Sequence, residues 1–417
     1  MRYECVKAKS LLSKKMEAES WFHINRSMNA YRGCEHGCVY CDGMSEGYYV
    51  ENFLSHIRIK ENAPEVLRKE LKKEGFVSQN ELETETLWTY LDKDDATRIA
   101  EKAPRKQVIG ASGGVSDAYQ PAEEEYEVTR RVLETLLDFC MPVYILTKSD
   151  LVLRDLDILK EIHERAFANV VFTITLHDED TQKIFEPRSS TTAERFEALK
   201  EIRKAGLYGG VMATPIIPGI GDNVGNMKDL AESAKSVRAE FILWGGMTLK
   251  PGHQKDYFLN VVRQQFPDKL MLLERVYENN HPYGHPIYKH LPVRVMTLGY
   301  GICRQVGISD RSVRHRVPHE HEVNNKVLGV LLDIAFRMRY NLHRPWSDSD
   351  PFNELAKRLE QGVENLEELR NSGELSERLQ LTAQMTEIVE EIMDRGTCSF
   401  LEGLESELDE LSTRVLE

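Results

Sequence analysis

The sequence predicts an α/β protein in which a parallel sheet closes into a complete or partial barrel, followed by a helical region. From about residue 107 to 245, short apolar runs alternate with amphipathic helical patterns. Repeated strand-helix units pair their strands in parallel through right-handed crossovers. The apolar runs are nearly continuous, which marks strands buried on both faces. The 417 residues allow two to three domains, or one large α/β domain with additions, and enough chain for a substantial core.

Strands are predicted at 107–111, 143–147, 170–176, 210–214 and 241–244, each rich in β-branched or aromatic residues and bounded by Gly, Pro or polar clusters. Helices fall between them at 122–139, 155–166, 192–205 and 225–237. Leu156, Leu159 and Ile162 share one helical face, as do Phe196, Leu199 and Ile202. Gly206 stops the later helix just past its last periodic residue. A helix at 64–74 precedes a charged, apolar-poor insertion, 75–106, containing Trp88. Beyond the repeats, four helices are predicted at 322–340, 352–371, 374–395 and 399–416, punctuated by Pro345, Gly373 and Gly396. Their leucine stripes, such as Leu355, Leu359, Leu366 and Leu369, read as core faces. The expected division is an N-terminal segment 1–25, a barrel 26–310, and a basic segment with C-terminal helices, 311–417.

Lys and Arg number 54 against 68 Asp and Glu, a formal net charge of -14. Such acidity argues against coating nucleic acid by bulk charge. The excess is uneven: residues 351–417 hold 17 acids and 6 bases, so the remainder is nearly neutral. No run of about 18 apolar residues occurs, and the first twenty residues are too charged for a secretion signal. The expectation is a soluble, cytoplasmic protein without a membrane partner.

Seven cysteines stand at 5, 34, 38, 41, 140, 303 and 398. An odd number is a poor disulfide framework. Cys34, Cys38 and Cys41 crowd into eight residues, in the text AYRGCEHGCVYC. Structural zinc needs four ligands, and no second cysteine pair accompanies these three; His36 or His23 would have to complete a zinc site. Three close thiolates suit three irons of a 4Fe-4S cube, leaving the fourth iron for a substrate or cofactor. Gly33 and Gly37 let the backbone fold around such a cluster. Tyr40 offers an aromatic face beside it.

Cys34-x3-Cys38-x2-Cys41 with Tyr40, followed by β/α units, resembles the radical S-adenosylmethionine (SAM) superfamily. Within it, the segments SDAYQPAE, TKSDLVLRD, FTITLHDED, IFEPRSSTTAERFEAL, ATPIIPGIGD and LWGGMTLKPGHQKDYF resemble the spore photoproduct lyase-like group, over residues 29 to about 258. The resemblance implies a partial (β/α)6 barrel with a 4Fe-4S cluster at the C-terminal mouth of its strands and an acidic helical appendage beyond it. It implies that SAM chelates the open iron, and that one electron cleaves it to methionine and a 5'-deoxyadenosyl radical that abstracts hydrogen from an unknown substrate. An electron donor such as a ferredoxin or flavodoxin is the implied partner.

By that resemblance Ser112, Gly113 and Gly114 meet the SAM amino group, Lys148 reaches its carboxylate, Thr173 and Arg188 contact SAM, and Ala213 lets adenine pack against backbone. Tyr40 and Asp117 are the candidate catalytic residues. Asp117 and Gln120 either orient substrate or cap the helix beginning near Ala122. The group's lesion-repairing members carry a cysteine where Gly114 stands, so thymine-lesion repair is not expected. Cys140 does not replace it and reads as a buried structural thiol. Arg304, Arg311, Arg314, His315, Arg316, His319 and His321, with Tyr283, Tyr288 and Tyr300, would suit a nucleic-acid surface, and with the resemblance they carry the alternative function, nucleic-acid lesion repair or modification. The favoured alternative is a solvated basic face paired with the acidic helices that follow. The contrasting class is a non-catalytic iron-sulfur or zinc protein using its acidic tail to bind a partner.

Overall fold

The computed structural model describes residues 1–16, 20–80, 106–111, 116–288, 290–315, 321–361 and 364–416. Its strands are β1 (Arg2–Val6), β2 (Arg26–Met28), β3 (Tyr31–Arg32), β4 (His56–Lys60), β5 (Ile109–Ala111), β6 (Val143–Thr147), β7 (Ala168–Thr173), β8 (Tyr208–Ile216) and β9 (Ile242–Gly246). The main sheet runs β2-β5-β6-β7-β8-β9, all neighbours parallel. Helices Ala63–Lys73, Val128–Asp138, Leu156–Arg165, Thr192–Lys204 and Val224–Ser236 fall in the crossovers. This is a partial (β/α)6 barrel. Most of the insertion 75–106, with Trp88, lies outside the described residues.

Alternation along each strand separates two cores. Val143, Ile145, Val170, Phe172, Val211 and Ala213 pack outward against helix residues such as Leu159 and Leu199. Tyr144, Val171 and Leu243 point the other way, into the barrel, with Ile24 and Phe241. Truncating a fully buried side chain such as Phe172 to Ala costs about 3–5 kcal/mol by loss of burial and a residual cavity.

Local chemistry fixes the helix boundaries. Thr191 and Glu194 exchange hydrogen bonds as a capping box at the start of Thr192–Lys204. The predicted helix 122–139 divides at Glu127, whose φ is +48°. The Glu123 carboxylate accepts from Thr129 N at 2.8 Å and Arg130 N at 3.2 Å, starting the second helix afresh. The predicted helix 352–371 separates into Trp346–Gln361 and Leu366–Ser372, and 374–395 into Leu375–Arg378 and Ala383–Arg395. Asn365 and Thr382 side chains cap the later pieces.

Two features have no counterpart in the sequence reading. β2, only three residues long, is the first barrel strand, and β1-β4-β3 form a separate small sheet. In addition, Met16, Phe22 and Ile24 pack into the barrel: Phe22 lies on Tyr144 with ring centroids 5.7 Å apart.

The C-terminal helices are docked rather than appended loosely. Helix His290–Val306 lies between β9 and helix Ser399–Leu416. Its Gly299 is needed because a Cβ there would come within 2.4 Å of Trp244, and one at Gly301 within 2.7 Å of Ser412. Arg337 forks onto both carboxylate oxygens of buried Asp310, one at 2.8 Å. Arg311 pairs with Asp333 at 2.8 Å and stacks on Phe336 at 3.5 Å. Arg314 reaches Glu360 at 3.4 Å and Arg304 reaches Asp409 at 3.4 Å. Tyr300 is 1% exposed. The basic segment is therefore a seam to the acidic helices: the expected pairing is present, but the Arg311 and Arg314 side chains are buried by it rather than solvated, and of these three arginines only Arg304 stays exposed; Arg316 and His319 lie outside the described residues. Among the described residues no helix is long and apolar enough to cross a membrane.

Candidate active site

The cysteine loop leaves β3 and sits over the C-terminal ends of the barrel strands. Gly33, with φ +88°, is pressed against β4: a Cβ would meet His56 O at 2.7 Å and Phe53 O at 3.0 Å. Cys34 N donates to Phe53 O at 3.1 Å, and Cys41 N to Cys38 O at 3.1 Å. A Cβ on Gly37, φ +70°, would lie 2.8 Å from the Arg188 guanidinium. Gly33 is thus demanded both by backbone close approach and by its left-handed conformation, and Gly37 by its left-handed conformation.

Cys34, Cys38 and Cys41 line one cavity of about 550 Å³. Its wall includes Tyr40, Asp117, Lys148, Thr173 and Thr214, all from loops or strand C-termini. Its deeper part is Phe22, Ile24, Tyr144, Leu146 and Met212. Burial pushes all three thiols up, Cys38 to about 12 although Lys148 pulls it down. Bare thiolates are thus disfavoured here, and a cation-bearing group would supply the missing charge partner. Among the described residues no three His, Cys, Asp or Glu side chains are grouped to hold a metal ion; a cube-shaped cluster instead binds each thiolate at its own iron. The loop fits such a cluster.

Asp117 lines the cavity, yet its carboxylate is committed. It accepts from Thr147 Oγ1 at 2.7 Å, Tyr119 N at 2.8 Å and Lys148 N at 2.9 Å, and lies 3.3 Å from His36 Nε2. Burial opposes its charge, but His36 and these hydrogen bonds outweigh it and hold the pKa at about 2. Asp117 therefore ties the cysteine loop to the end of β6. Gln120, fully buried, accepts from Glu35 N at 3.0 Å and donates to Gly33 O at 3.1 Å. It braces the same loop.

Tyr40 is 5% exposed. Its hydroxyl donates to Glu186, which pairs with Arg195; both members of that ion pair are fully buried. Arg195 also donates to Thr173 O at 2.6 Å and Ser190 O at 2.8 Å. Burial opposes the Glu186 charge, and Arg195 and Lys148 overcome it, so the carboxyl is held below its ordinary range. Lys148 Nζ stands 5.8 Å from the Tyr40 ring centroid. Sequence reading missed the roles of Glu186 and Arg195, which lie within the quoted segment IFEPRSSTTAERFEAL; Gln120, read as orienting substrate or capping a helix, is a brace of the cysteine loop instead.

Two predicted SAM contacts stand elsewhere. Arg188 does not line the cavity: its guanidinium lies outside on the cysteine loop, donating to Glu35 O, because that backbone carbonyl is its nearest acceptor. The Ala213 side chain faces the outer core, since strand alternation turns its neighbours Met212 and Thr214 inward. Ser112, Gly113 and Gly114 lie outside the described residues. Cys140 is half-buried rather than buried, just before β6 begins and so at the opposite end of the barrel.

Residues 28–234 match the profile of the Radical SAM superfamily. The chain carries a radical SAM domain. That domain implies a 4Fe-4S cluster and SAM as its cofactors, and its match runs from the end of β2 to the helix before β9. An uncharacterized protein of Mycobacterium tuberculosis is 24% identical over 291 residues, 69% of this chain and 76% of its own. Another, from Methanocaldococcus jannaschii, is 29% identical over 198 residues, 47% of this chain and 61% of its own. Spore photoproduct lyase complexed with dinucleoside spore photoproduct aligns at 16% identity and a TM-score of 0.44, over 64% of this chain and 66% of that one. The aligned part is thus just under two thirds of that structure.

Proposed function

We propose that Cys34, Cys38 and Cys41 hold a 4Fe-4S cluster at which SAM is cleaved reductively, so that hydrogen is abstracted from a substrate admitted to the same cavity. The supporting observation is convergence: three thiols, a lysine and two threonine hydroxyls open onto one space at the strand ends, where barrels of this kind place their chemistry. The cluster, when bound, supplies one-electron cleavage of the sulfonium C–S bond.

The remaining duties fall to this chain's side chains. The Lys148 ammonium is the charge partner for the SAM carboxylate. Thr173 and Thr214 serve adenosine; the Thr214 hydroxyl has no partner among the described residues. Ser112, Gly113 and Gly114, just past β5, are assigned to the SAM amino group. Tyr40, held by Glu186, presents a fixed ring beside the cluster. The apolar interior formed by Phe22, Ile24, Tyr144, Leu146 and Met212 receives the reacting part of the substrate and excludes water, which protects a reactive intermediate from side reactions.

Anaerobic reconstitution with iron and sulfide, followed by dithionite and SAM, tests this. The expected products are methionine and 5'-deoxyadenosine. A fully loaded protein that forms neither would sink the proposal.

A further inference from the structure

Three arginines surround the segment covering Cys34, and each gives its guanidinium to backbone. Arg32 donates to Tyr48 O at 2.8 Å and Tyr49 O at 3.4 Å. Arg58 donates to Glu51 O at 3.4 Å. Arg188 reaches Leu54 O at 3.4 Å as well as Glu35 O. Among the described residues, no ion pair joins any of the three to a carboxylate, whereas Arg304, Arg311, Arg314 and Arg337 all have one. A carbonyl satisfies the N–H groups but leaves the positive charge in place.

The arrangement also opposes sheet stability. Arg32 and Arg58 are register partners across β3 and β4, and like charges directly opposite destabilise a sheet. Glu4, in register with Arg58 on β1, lies 2.8 Å from His56 instead. This cationic face stands on a chain of net charge -14. Beside it Tyr49 is 86% exposed, and exposed Tyr with Arg is the composition of a protein-binding hot spot. Directly beneath, Cys34, Met44 and Phe53 form an apolar cluster joined by Cys41, Val50 and Leu54.

We propose that this face docks an acidic one-electron carrier protein, a flavoprotein or iron-sulfur protein, whose negative surface meets Arg32, Arg58 and Arg188 around Tyr49. The idea rests on the radical SAM reading above. One electron passes from the reduced carrier to the cysteine-loop site for each SAM cleaved, and the carrier is left oxidised by one electron. Segment 48–54 covers Cys34, whose N–H donates to Phe53 O at 3.1 Å and which packs with Phe53, Val50 and Leu54. Complementary charge of this kind steers encounter and sets orientation.

The test compares reconstituted full-length protein with an Arg32→Glu, Arg58→Glu double variant, using reduced flavodoxin or dithionite as electron source. With dithionite the two should form 5'-deoxyadenosine at equal rates. With flavodoxin at low ionic strength the variant should be slower by about tenfold, and added salt should narrow the gap. Binding of oxidised flavodoxin, followed by titration without turnover, should weaken in the same variant and persist in Arg32→Lys, Arg58→Lys. Equal binding and equal flavodoxin-driven rates would overturn the docking face and leave SAM cleavage standing. No 5'-deoxyadenosine with dithionite from either protein would instead strike the reading beneath it. A DNA oligonucleotide that binds this face while flavodoxin does not would reassign it to nucleic acid and overturn the proposal.

Discussion

Two arginine-rich regions behave in opposite ways. Around the cysteine loop, Arg32, Arg58 and Arg188 hold backbone carbonyls and keep their charge. At the seam between barrel and C-terminal helices, Arg311, Arg314 and Arg337 hold carboxylates and are nearly buried. Arg311 and Arg314 were conspicuous in the sequence because they cluster with other basic residues; Arg337 was not, and those at the loop are scattered over more than 150 positions. What decides whether an arginine is a binding surface or a structural tie is the acceptor it meets, and the acceptor comes from another part of the chain.

The contrast can be broken most severely at the loop itself. Replacing Cys34, Cys38 or Cys41 by Ala should each remove the iron-sulfur cluster and with it all formation of 5'-deoxyadenosine, read by iron content, visible absorbance and product analysis. A variant retaining a full complement of iron would refute the ligand assignment.

At the seam the effect is on stability. Arg337→Ala leaves Asp310 buried and uncompensated, and should cost about 3–5 kcal/mol in urea or thermal unfolding. Replacing both partners by apolar residues of similar volume should recover most of that loss; no recovery would mean that Arg337 contributes packing rather than charge.

Acid should separate the two regions further. Burial alone would raise the Asp310 carboxyl, but Arg337 outweighs it and holds it below the ordinary carboxylate range. A depressed folded pKa contributes stability that is complete above the unfolded value and is lost as pH falls through the folded one. Helix Glu322–Phe336 should therefore lose amide-exchange protection, corrected for intrinsic rates, in acid below about pH 4. Segment 48–54, held by arginine-carbonyl contacts that do not titrate, should lag behind. Simultaneous loss would show that the seam and the loop unfold as one unit.

The smallest effect is expected at Arg304. Its pair with Asp409 is largely exposed, with side chains 60% and 46% accessible, so Arg304→Ala should shift stability by less than about 1 kcal/mol. A larger loss would mark the exposed rim of the seam as more than decoration.

Much of the barrel was legible because its strands and helices are long enough to show a period. Val143–Thr147 matches the predicted strand in full. The three residues of β2 and the two of β3 carry no period at all, which is why the first barrel strand and the small sheet escaped notice. Within the site, the cysteines were legible because ligand spacing is local in sequence. Lys148 and Thr173 were assigned through the family resemblance, and both line the cavity. Asp117 read as a catalytic candidate, and its environment makes it a tie, because the groups that occupy its carboxylate come from Thr147, Lys148 and His36. The Ala213 side chain faces the outer core through a one-residue alternation that fold-level resemblance does not resolve.

By itself the sequence determined the repeating strand-helix order, the three-cysteine loop and the acidity of the C-terminal helices, since each is written in neighbouring residues. Tertiary structure alone decided which buried charges are neutralised, which strand face looks into the barrel, and that the loop is braced by Gln120, Glu186 and Arg195. Those outcomes depend on contacts between residues far apart in the chain, where burial and partner geometry, rather than residue type, set the energy.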